Sequence, residues 1–263
     1  IHSAAGLLGT GAALSARPPF RAPHHSASTV ALIGGGSSRL RPGEASCAHR
    51  GVLFLDELAE FSSDVLDSLR QPLEEGHILV CRARASVVFP ADFLLVAAMN
   101  PCPCGGDGSP GGCRCSDVAR QRFAARVSGP LLDRFDLRLG LAKPDPSDLL
   151  GSPSNAPSGE PSSAVAERVM AVRRLSAGRG LECNARIPAQ RLDELAPLEP
   201  AARSALETRL RQGRLSARGL HRVRRVARTL ADLGGRSGPV AKEDVLQALA
   251  LRSGDLFSGD RPR

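Results

Sequence analysis

Two adjacent carboxylates, Asp56 and Glu57, follow directly on the apolar run from Val52 to Leu55. An apolar run of this length predicts a buried strand, so both acids would lie where that strand leaves the sheet. There, one carboxylate could hold a magnesium ion and the other could take a proton from an attacking water molecule. The residue types therefore suit hydrolysis of a phosphate, and the pattern is that of a Walker B motif. The alternative is a pair of surface acids that ends a strand.

A phosphate-binding loop of the form Gly-x-x-x-x-Gly-Lys-[Ser/Thr] does not occur in the sequence. The lysines are Lys143, before Pro144, and Lys242, before Glu243. The residues thus supply the hydrolytic half of a nucleotide site without the half that holds the phosphates. Because the first residue is Ile1 rather than Met, we expect a chain that lacks its true N-terminus. We also expect these residues alone neither to bind ATP tightly nor to hydrolyse it.

The net charge of +8 comes almost entirely from arginine. Guanidinium groups suit the phosphate oxygens of nucleotides or nucleic acids, although a coding bias towards arginine would give the same composition. The absence of Trp and Tyr argues against platforms for base stacking. No stretch approaches the roughly 18 apolar residues of a membrane span, and the seven cysteines come without a secretory signal. We therefore expect a soluble, cytoplasmic protein with no membrane partner.

Composition divides the chain into three regions. Residues 1–145 alternate apolar strands with helical patterns, residues 146–163 form a Pro/Ser/Gly-rich linker, and residues 164–263 are helical by periodicity. The helical patterns in the last region run over 164–175, 200–212, 216–233 and 242–251. The expected fold is an α/β domain with a parallel sheet, joined by the linker to a small helical bundle.

A second buried strand is predicted over Phe93–Met99, and it ends at Asn100. Apolar strands of this kind are typical of a parallel sheet that is covered on both faces and binds its ligand at the carboxyl ends of its strands. Before this strand, residues 78–81 and 87–89 predict a β-hairpin whose tip carries Arg82 and Arg84. These arginines could contact nucleic-acid phosphates, and a solvated tip is nearly as good an interpretation.

The cysteines Cys102, Cys104, Cys113 and Cys115 have the spacing C-x-C-x8-C-x-C. Four thiolates suit tetrahedral zinc, although C-x-C is tighter than the usual C-x2-C. The alternative is a reduced loop without metal. A metal here would stiffen the chain directly after Asn100.

Several strings resemble the magnesium-chelatase-like AAA+ ATPases of the competence protein ComM group. They are, in chain order, RPPFRAPHHS, GGG, RPGE, GVLFLDEL, LRQPLEEG, MNPCPCG, SGPLLDRFDL and SARGLHRVRRVARTLADL. The resemblance covers essentially the whole chain. It implies a partial AAA+ core followed by an all-α lid domain, in a hexamer (a homo-oligomer) that uses ATP and Mg²⁺ to move DNA in branch migration. It also implies a P-loop and a Lon-type domain upstream of Ile1.

The same resemblance implies roles for individual residues. Asp56 would hold Mg²⁺ through water, Glu57 would be the base, and Asn100 would be sensor 1. Arg134 would be the arginine finger that reaches a neighbouring subunit, or else would form a local salt bridge. Arg218 matches sensor 2, and most other arginines of its segment are expected to be solvated.

The sequence leaves the role of two histidines and the choice between alternative functions undecided. His24 and His25 could bind metal or DNA, but adjacent histidines after a proline are more often loop residues. A magnesium-chelatase motor subunit is the nearest alternative enzyme, and the RAPHH string and the cysteines argue against it. A DNA-binding or scaffold fragment without hydrolytic activity is the alternative from another class.

Overall fold

The chain divides into two units between Arg134 and Phe135. The computed structural model describes residues 1–9, 11, 17–36, 39–82, 85–106, 113–141 and 159–253, without the side chains of residues 82 and 85. Residues 142–158, which hold most of the predicted linker, lie outside the described residues, and so does Arg84 of the predicted hairpin tip.

The first unit combines short strands and helices. In chain order they are β1 (Phe20–Arg21), α1 (Thr29–Ile33), β2 (Gly34–Gly35), β3 (Arg41–Pro42), α2 (Glu44–Cys47), β4 (Val52–Leu55), a 3-10 turn (Leu58–Glu60), α3 (Ser63–Ser68), α4 (Arg70–Glu75), β5 (His77–Arg82), β6 (Ala85–Pro90), β7 (Leu94–Ala97), α5 (Asp117–Ala124) and α6 (Gly129–Leu132).

A parallel sheet in the order β1-β4-β7 lies at the centre of this unit. Strand β4 pairs with β7 from Val52 opposite Leu94 to Leu55 opposite Ala97. The predicted strand at 52–55 is therefore confirmed, and the predicted parallel α/β core is the fold of the unit. The register places the carboxyl ends of both strands at one edge of the sheet.

The two faces of the sheet differ in burial. Leu53 and Leu55 are fully buried on one face, where each stabilises the fold by roughly 2 kcal/mol. On the other face Phe20 is 64% exposed and Leu94 is 62% exposed. The expectation of a sheet covered on both faces is thus wrong for this face, because the described residues leave its large apolar side chains exposed. The phenyl rings of Phe20 and Phe54 stack there at 6.1 Å.

Strands β5 and β6 form the antiparallel hairpin that the sequence predicts, paired from His77–Pro90 to Arg82–Ala85. Strands β2 and β3 form a second short antiparallel pair. Gly34 in β2 needs to be glycine, because its φ is 101° and a Cβ atom would lie 2.6 Å from the Arg41 carbonyl oxygen.

The second unit is helical. Its helices are α7 (Ser162–Gly178), α8 (Leu192–Leu195), α9 (Pro200–Arg211), α10 (Ala217–Leu233) and α11 (Lys242–Ser253), with 3-10 turns at Asn184–Arg186 and Ala189–Arg191. Helix α7 begins at Ser162, so it includes the last two residues of the predicted linker. The predicted apolar stripe of α10 is confirmed, since Val223 and Ala227 are buried and Leu220, Val226 and Leu230 pack against the same core.

Asp232 on α10 is the centre of a buried polar network. Both guanidinium NH groups of Arg179 donate to its carboxylate at 2.6 Å, Arg228 donates through Nη2 at 2.7 Å, and the Asn184 amide donates at 2.7 Å. Burial alone would raise the pKa of Asp232, but these hydrogen bonds outweigh it and leave the pKa below its ordinary value. The network ties the end of α7 and a 3-10 turn to α10.

Helix α10 also corrects an expectation about its arginines. Arg228 is 1% exposed and Arg224 is 8% exposed, whereas most arginines of this segment were expected to be solvated. Arg224 donates to Asp193 and to the Ala196 carbonyl oxygen. These arginines therefore hold the helical unit together rather than forming a charged surface.

We predict that Asp232→Asn lowers the free energy of unfolding by about 3 kcal/mol at neutral pH, because it leaves buried guanidinium charge uncompensated. The lowered pKa of Asp232 means that this contribution is present above the unfolded-state value of about 3.9 and is lost as pH falls through the folded-state value. Urea unfolding from pH 7 to pH 3 should therefore show the difference between native protein and variant shrinking with acid.

The exposed Glu207→Gln on α9 is the matched control, and its effect should stay within about 0.5 kcal/mol. A deficit for Asp232→Asn that is small, or that does not change with pH, would contradict the role given to the network.

Candidate functional site

The exits of β4 and β7 are joined by backbone hydrogen bonds. The Ala98 amide donates to the Leu55 carbonyl oxygen at 2.9 Å, and the Leu58 amide donates to the Ala98 carbonyl oxygen at 2.9 Å. Asp56 and Glu57 lie between these two bonds. Their backbone is therefore held on both sides, at the sheet edge where the sequence predicts the site.

Glu57 has a left-handed backbone, with φ of 51° and ψ of 47°. This conformation costs a non-glycine residue roughly 1–2 kcal/mol, so the surrounding bonds must impose it. The amide of Glu57 donates to the Asp56 carboxylate at 2.9 Å. The Glu57 side chain is 53% exposed and lines a cavity, whereas Asp56 is not among the residues that line it.

His25 contacts Glu57, with His25 Nδ1 2.9 Å from Glu57 Oε2. The histidine follows β1, the other parallel neighbour of β4, and its ring meets Phe61 edge-on at 6.4 Å. The ring of His24 lies 4.0 Å from that of His25. The sequence favoured a plain loop role for both histidines, and the signal that could have found this contact is their position after a strand that pairs with β4.

A cavity of about 300 Å³ lies at the sheet edge. Glu57 and Asn100 line it together, and so do His25, Cys102 and Phe123. Asn100 comes three residues after β7, so the strand pairing brings it to the same cavity as the acid that follows β4. A carboxylate and an amide on one cavity wall can orient a water molecule.

Asp56 is exposed, and its carboxylate accepts from the backbone of Glu57. Carboxylate oxygen is the protein ligand that Mg²⁺ prefers, and the ion usually keeps several waters when it binds. Asp56 therefore fits a magnesium ion held through water. The 263 residues contain no P-loop lysine of the form Gly-x-x-x-x-Gly-Lys-[Ser/Thr].

Arg134 is bound within its own unit. Its Nη2 lies 2.8 Å from the Glu74 carboxylate, its Nε donates to the Arg70 carbonyl oxygen at 3.1 Å, and its Nη1 donates to the Pro130 carbonyl oxygen. The residue is only 9% exposed. The acid that pairs with Arg134 is therefore Glu74, and not an acid next to Arg134 in the sequence. The finger role stays a prediction, and it requires the guanidinium to leave these contacts.

Arg218 lies exposed on α10 of the second unit, and its sensor 2 role likewise stays a prediction. One turn later, Arg222 Nη1 lies 2.8 Å from Asp136 Oδ1. Arg225 donates to the Ile187 carbonyl oxygen, and burial lowers its pKa from the ordinary value.

The four clustered cysteines converge. Their Sγ atoms all lie within 4.8 Å of one another, with Cys102–Cys104 at 3.2 Å, Cys102–Cys113 at 3.3 Å and Cys104–Cys113 at 3.6 Å. Burial raises the pKa of Cys102 to about 12, whereas a backbone hydrogen bond from Arg114 is the largest cause that lowers the pKa of Cys104 to about 6. Four sulfur atoms at these separations can bind one metal ion.

The fold, with acids and Asn100 at the carboxyl ends of parallel strands β4 and β7, is that of a partial AAA+ α/β core followed by a helical domain. The chain belongs to the magnesium chelatase family: the model for magnesium chelatase, subunit ChlI, matches residues 1–149, and the model for the C-terminal part of that subunit matches residues 159–252. The family seen in the motifs is thereby confirmed. Among the residues that the structure describes, no helix has the length and apolar character to cross a membrane.

Relatives place the chain in the ComM group of this family. An uncharacterised protein of Mycobacterium tuberculosis is 45% identical over 256 residues, which is 96% of this chain and 50% of that protein. The competence protein ComM of Haemophilus influenzae is 44% identical, over 89% of this chain and 45% of its own length. The uncharacterised protein YifB of Escherichia coli is 43% identical, over 90% of this chain and 46% of its own length. The chain thus spans about half the length of these relatives.

We predict that Arg134→Ala lowers the free energy of unfolding of the first unit by about 3 kcal/mol, because it removes a buried guanidinium that satisfies one carboxylate and two carbonyl oxygens. Urea unfolding measures the change. Arg70→Ala is the control, since the Arg70 side chain is 41% exposed and only its backbone contacts Arg134.

Equal stability of the two variants would contradict this structural role. Equal stability would also show that the guanidinium of Arg134 can leave its contacts at little cost in free energy, as the role of arginine finger requires.

Proposed function

We propose that this chain is the hydrolytic half of an AAA+ ATPase that couples ATP hydrolysis to the remodelling of DNA. The proposal rests on one observation: Glu57 and Asn100 line the same cavity, at the carboxyl ends of the paired parallel strands β4 and β7. This is the edge at which open α/β sheets bind their ligands. Membership of the family supports the same reaction.

The proposed division of labour follows from the geometry. Glu57 takes a proton from the attacking water, and Asn100 holds that water or the terminal phosphate by its amide. Asp56 anchors a magnesium ion through water, and this ion when bound neutralises phosphate charge. His25 holds the Glu57 carboxylate at 2.9 Å and so fixes its direction.

DNA as the substrate rests on two supports. The net charge of +8 suits a polyanion, and one relative is named a competence protein. Assembly into a homo-oligomer, with a hexamer as the expected form, would let Arg134 or a neighbouring cation act at the site of another subunit. The cytoplasm is the proposed location.

We infer that the phosphate-binding half lies outside these residues, because they contain no P-loop motif. The relatives are about twice as long as this chain, so a preceding segment of the same protein is the proposed source. The longest in-frame product of the gene is therefore the protein to assay, and the isolated 263 residues serve as the sample that is expected to show no turnover.

We predict that Glu57→Gln in the longest in-frame product lowers ATP turnover by about 10²–10⁴-fold, because glutamine keeps the shape of the side chain and cannot take the proton. Turnover is measured with and without added DNA. Nucleotide affinity should change little, which separates loss of the base from loss of binding.

Glu75→Gln is the matched control, because Glu75 is an exposed acid at the end of α4 that pairs with Gln71 and does not line the cavity. Its turnover should equal that of the native protein. Undiminished turnover in Glu57→Gln would overturn the assignment of the base. Turnover by the 263 residues alone would overturn the expectation that the phosphate-binding half lies outside them.

A further inference from the structure

The cysteine cluster has the dimensions of a site for one metal ion. A tetrahedral ion with metal–sulfur bonds of about 2.3 Å places its thiolates about 3.8 Å apart. The recorded Sγ separations of 3.2–3.6 Å are close to this value and far above the roughly 2.05 Å of a disulfide. All the cysteines of the cluster are free.

The same distances argue against a cluster of several irons. Iron–sulfur clusters spread their four cysteine ligands over two or four irons, which separates the thiolates. Here every pair of Sγ atoms lies within 4.8 Å. Soft thiolates also disfavour magnesium and calcium, which prefer oxygen ligands.

The cluster is close in sequence to two segments that line the cavity at the sheet edge, one around Asn100 and one on α5. Cys102 is fully buried, lies two residues after Asn100 and lines that cavity itself. Cys115 directly precedes Ser116, whose hydroxyl accepts the Ala119 amide at the start of α5. Phe123, later on α5, also lines the cavity.

We propose that Cys102, Cys104, Cys113 and Cys115 bind one Zn²⁺, and that this ion ties the exit of β7 to the start of α5. The ion is structural, because four thiolates fill its coordination sphere and leave no position for substrate. Its effect is to fix the chain that carries Asn100 against the helix that carries Phe123. Zinc binding does not depend on the proposed ATPase function, and it is measured without nucleotide.

The first experiment is metal analysis of the purified 263-residue chain. We expect about one zinc per chain in the native protein and in Cys81→Ser, whose exposed thiol lies on β5 outside the cluster. Cys104→Ser should hold less than about a tenth of that zinc. Cys104 is the residue to change first because it is exposed, so its substitution leaves the buried packing around Cys102 in place.

A second measurement keeps the test informative if a variant folds poorly. Zinc removal from native protein by a chelator, followed by added Co²⁺, should give the strong visible bands of tetrahedral thiolate coordination. Amide hydrogen exchange should rise on zinc removal over residues 98–104 and 116–124 and stay unchanged over residues 200–253. Restored protection on addition of zinc would confirm that the ion holds these segments.

Three results would overturn the proposal. The first is a zinc content well under one per chain in folded native protein. The second is iron in place of zinc, and the third is full zinc content in Cys104→Ser. Unchanged exchange over residues 98–104 after zinc removal would overturn the positioning role alone. Failure of the ATPase assay, by contrast, would leave the zinc content as predicted.

Discussion

The parallel register of β4 with β7 is the constraint on which the candidate site depends. It sets Val52 opposite Leu94 and Leu55 opposite Ala97, and the hydrogen bonds at Ala98 continue it past both strands. A slip of one residue would move the buried leucines to the other face and would separate the acids from Asn100. The same register gives β7 an exit that leads within a few residues into the cysteine cluster. Sheet pairing, the cavity and the cysteine cluster are therefore parts of one arrangement.

Strain and charge are concentrated in different units. In the first unit, Glu57 has a left-handed backbone that the flanking bonds impose, and His25 holds its carboxylate. Such local strain is characteristic of functional positions. In the second unit, charge is used for stability, since Arg228 is buried and shares Asp232 with Arg179. The large positive charge of the chain therefore divides into arginines that build the fold and arginines that remain exposed.

The sequence was sufficient to predict the strand at 52–55 and the hairpin of β5 and β6, because each depends on a local pattern. It was insufficient wherever a side chain finds a partner far along the chain. The contact of His25 with Glu57, the pairing of Arg134 with Glu74 and the burial of Arg228 illustrate this limit. The apolar runs also predicted burial on both faces of the sheet, yet Leu94 is 62% exposed. An apolar run shows that a strand can be buried, but it does not identify the element that would cover it.

The central claim is that the cavity of Glu57 and Asn100 is where a terminal phosphate is hydrolysed. A structure of the longest in-frame gene product with Mg²⁺ and a slowly hydrolysed ATP analogue tests it most directly. The account predicts that the terminal phosphate lies in this cavity, with a water between it and the Glu57 carboxylate and with Asp56 facing the metal's waters. A nucleotide bound elsewhere, with no phosphate within hydrogen-bond reach of Asn100 directly or through water, would contradict the account.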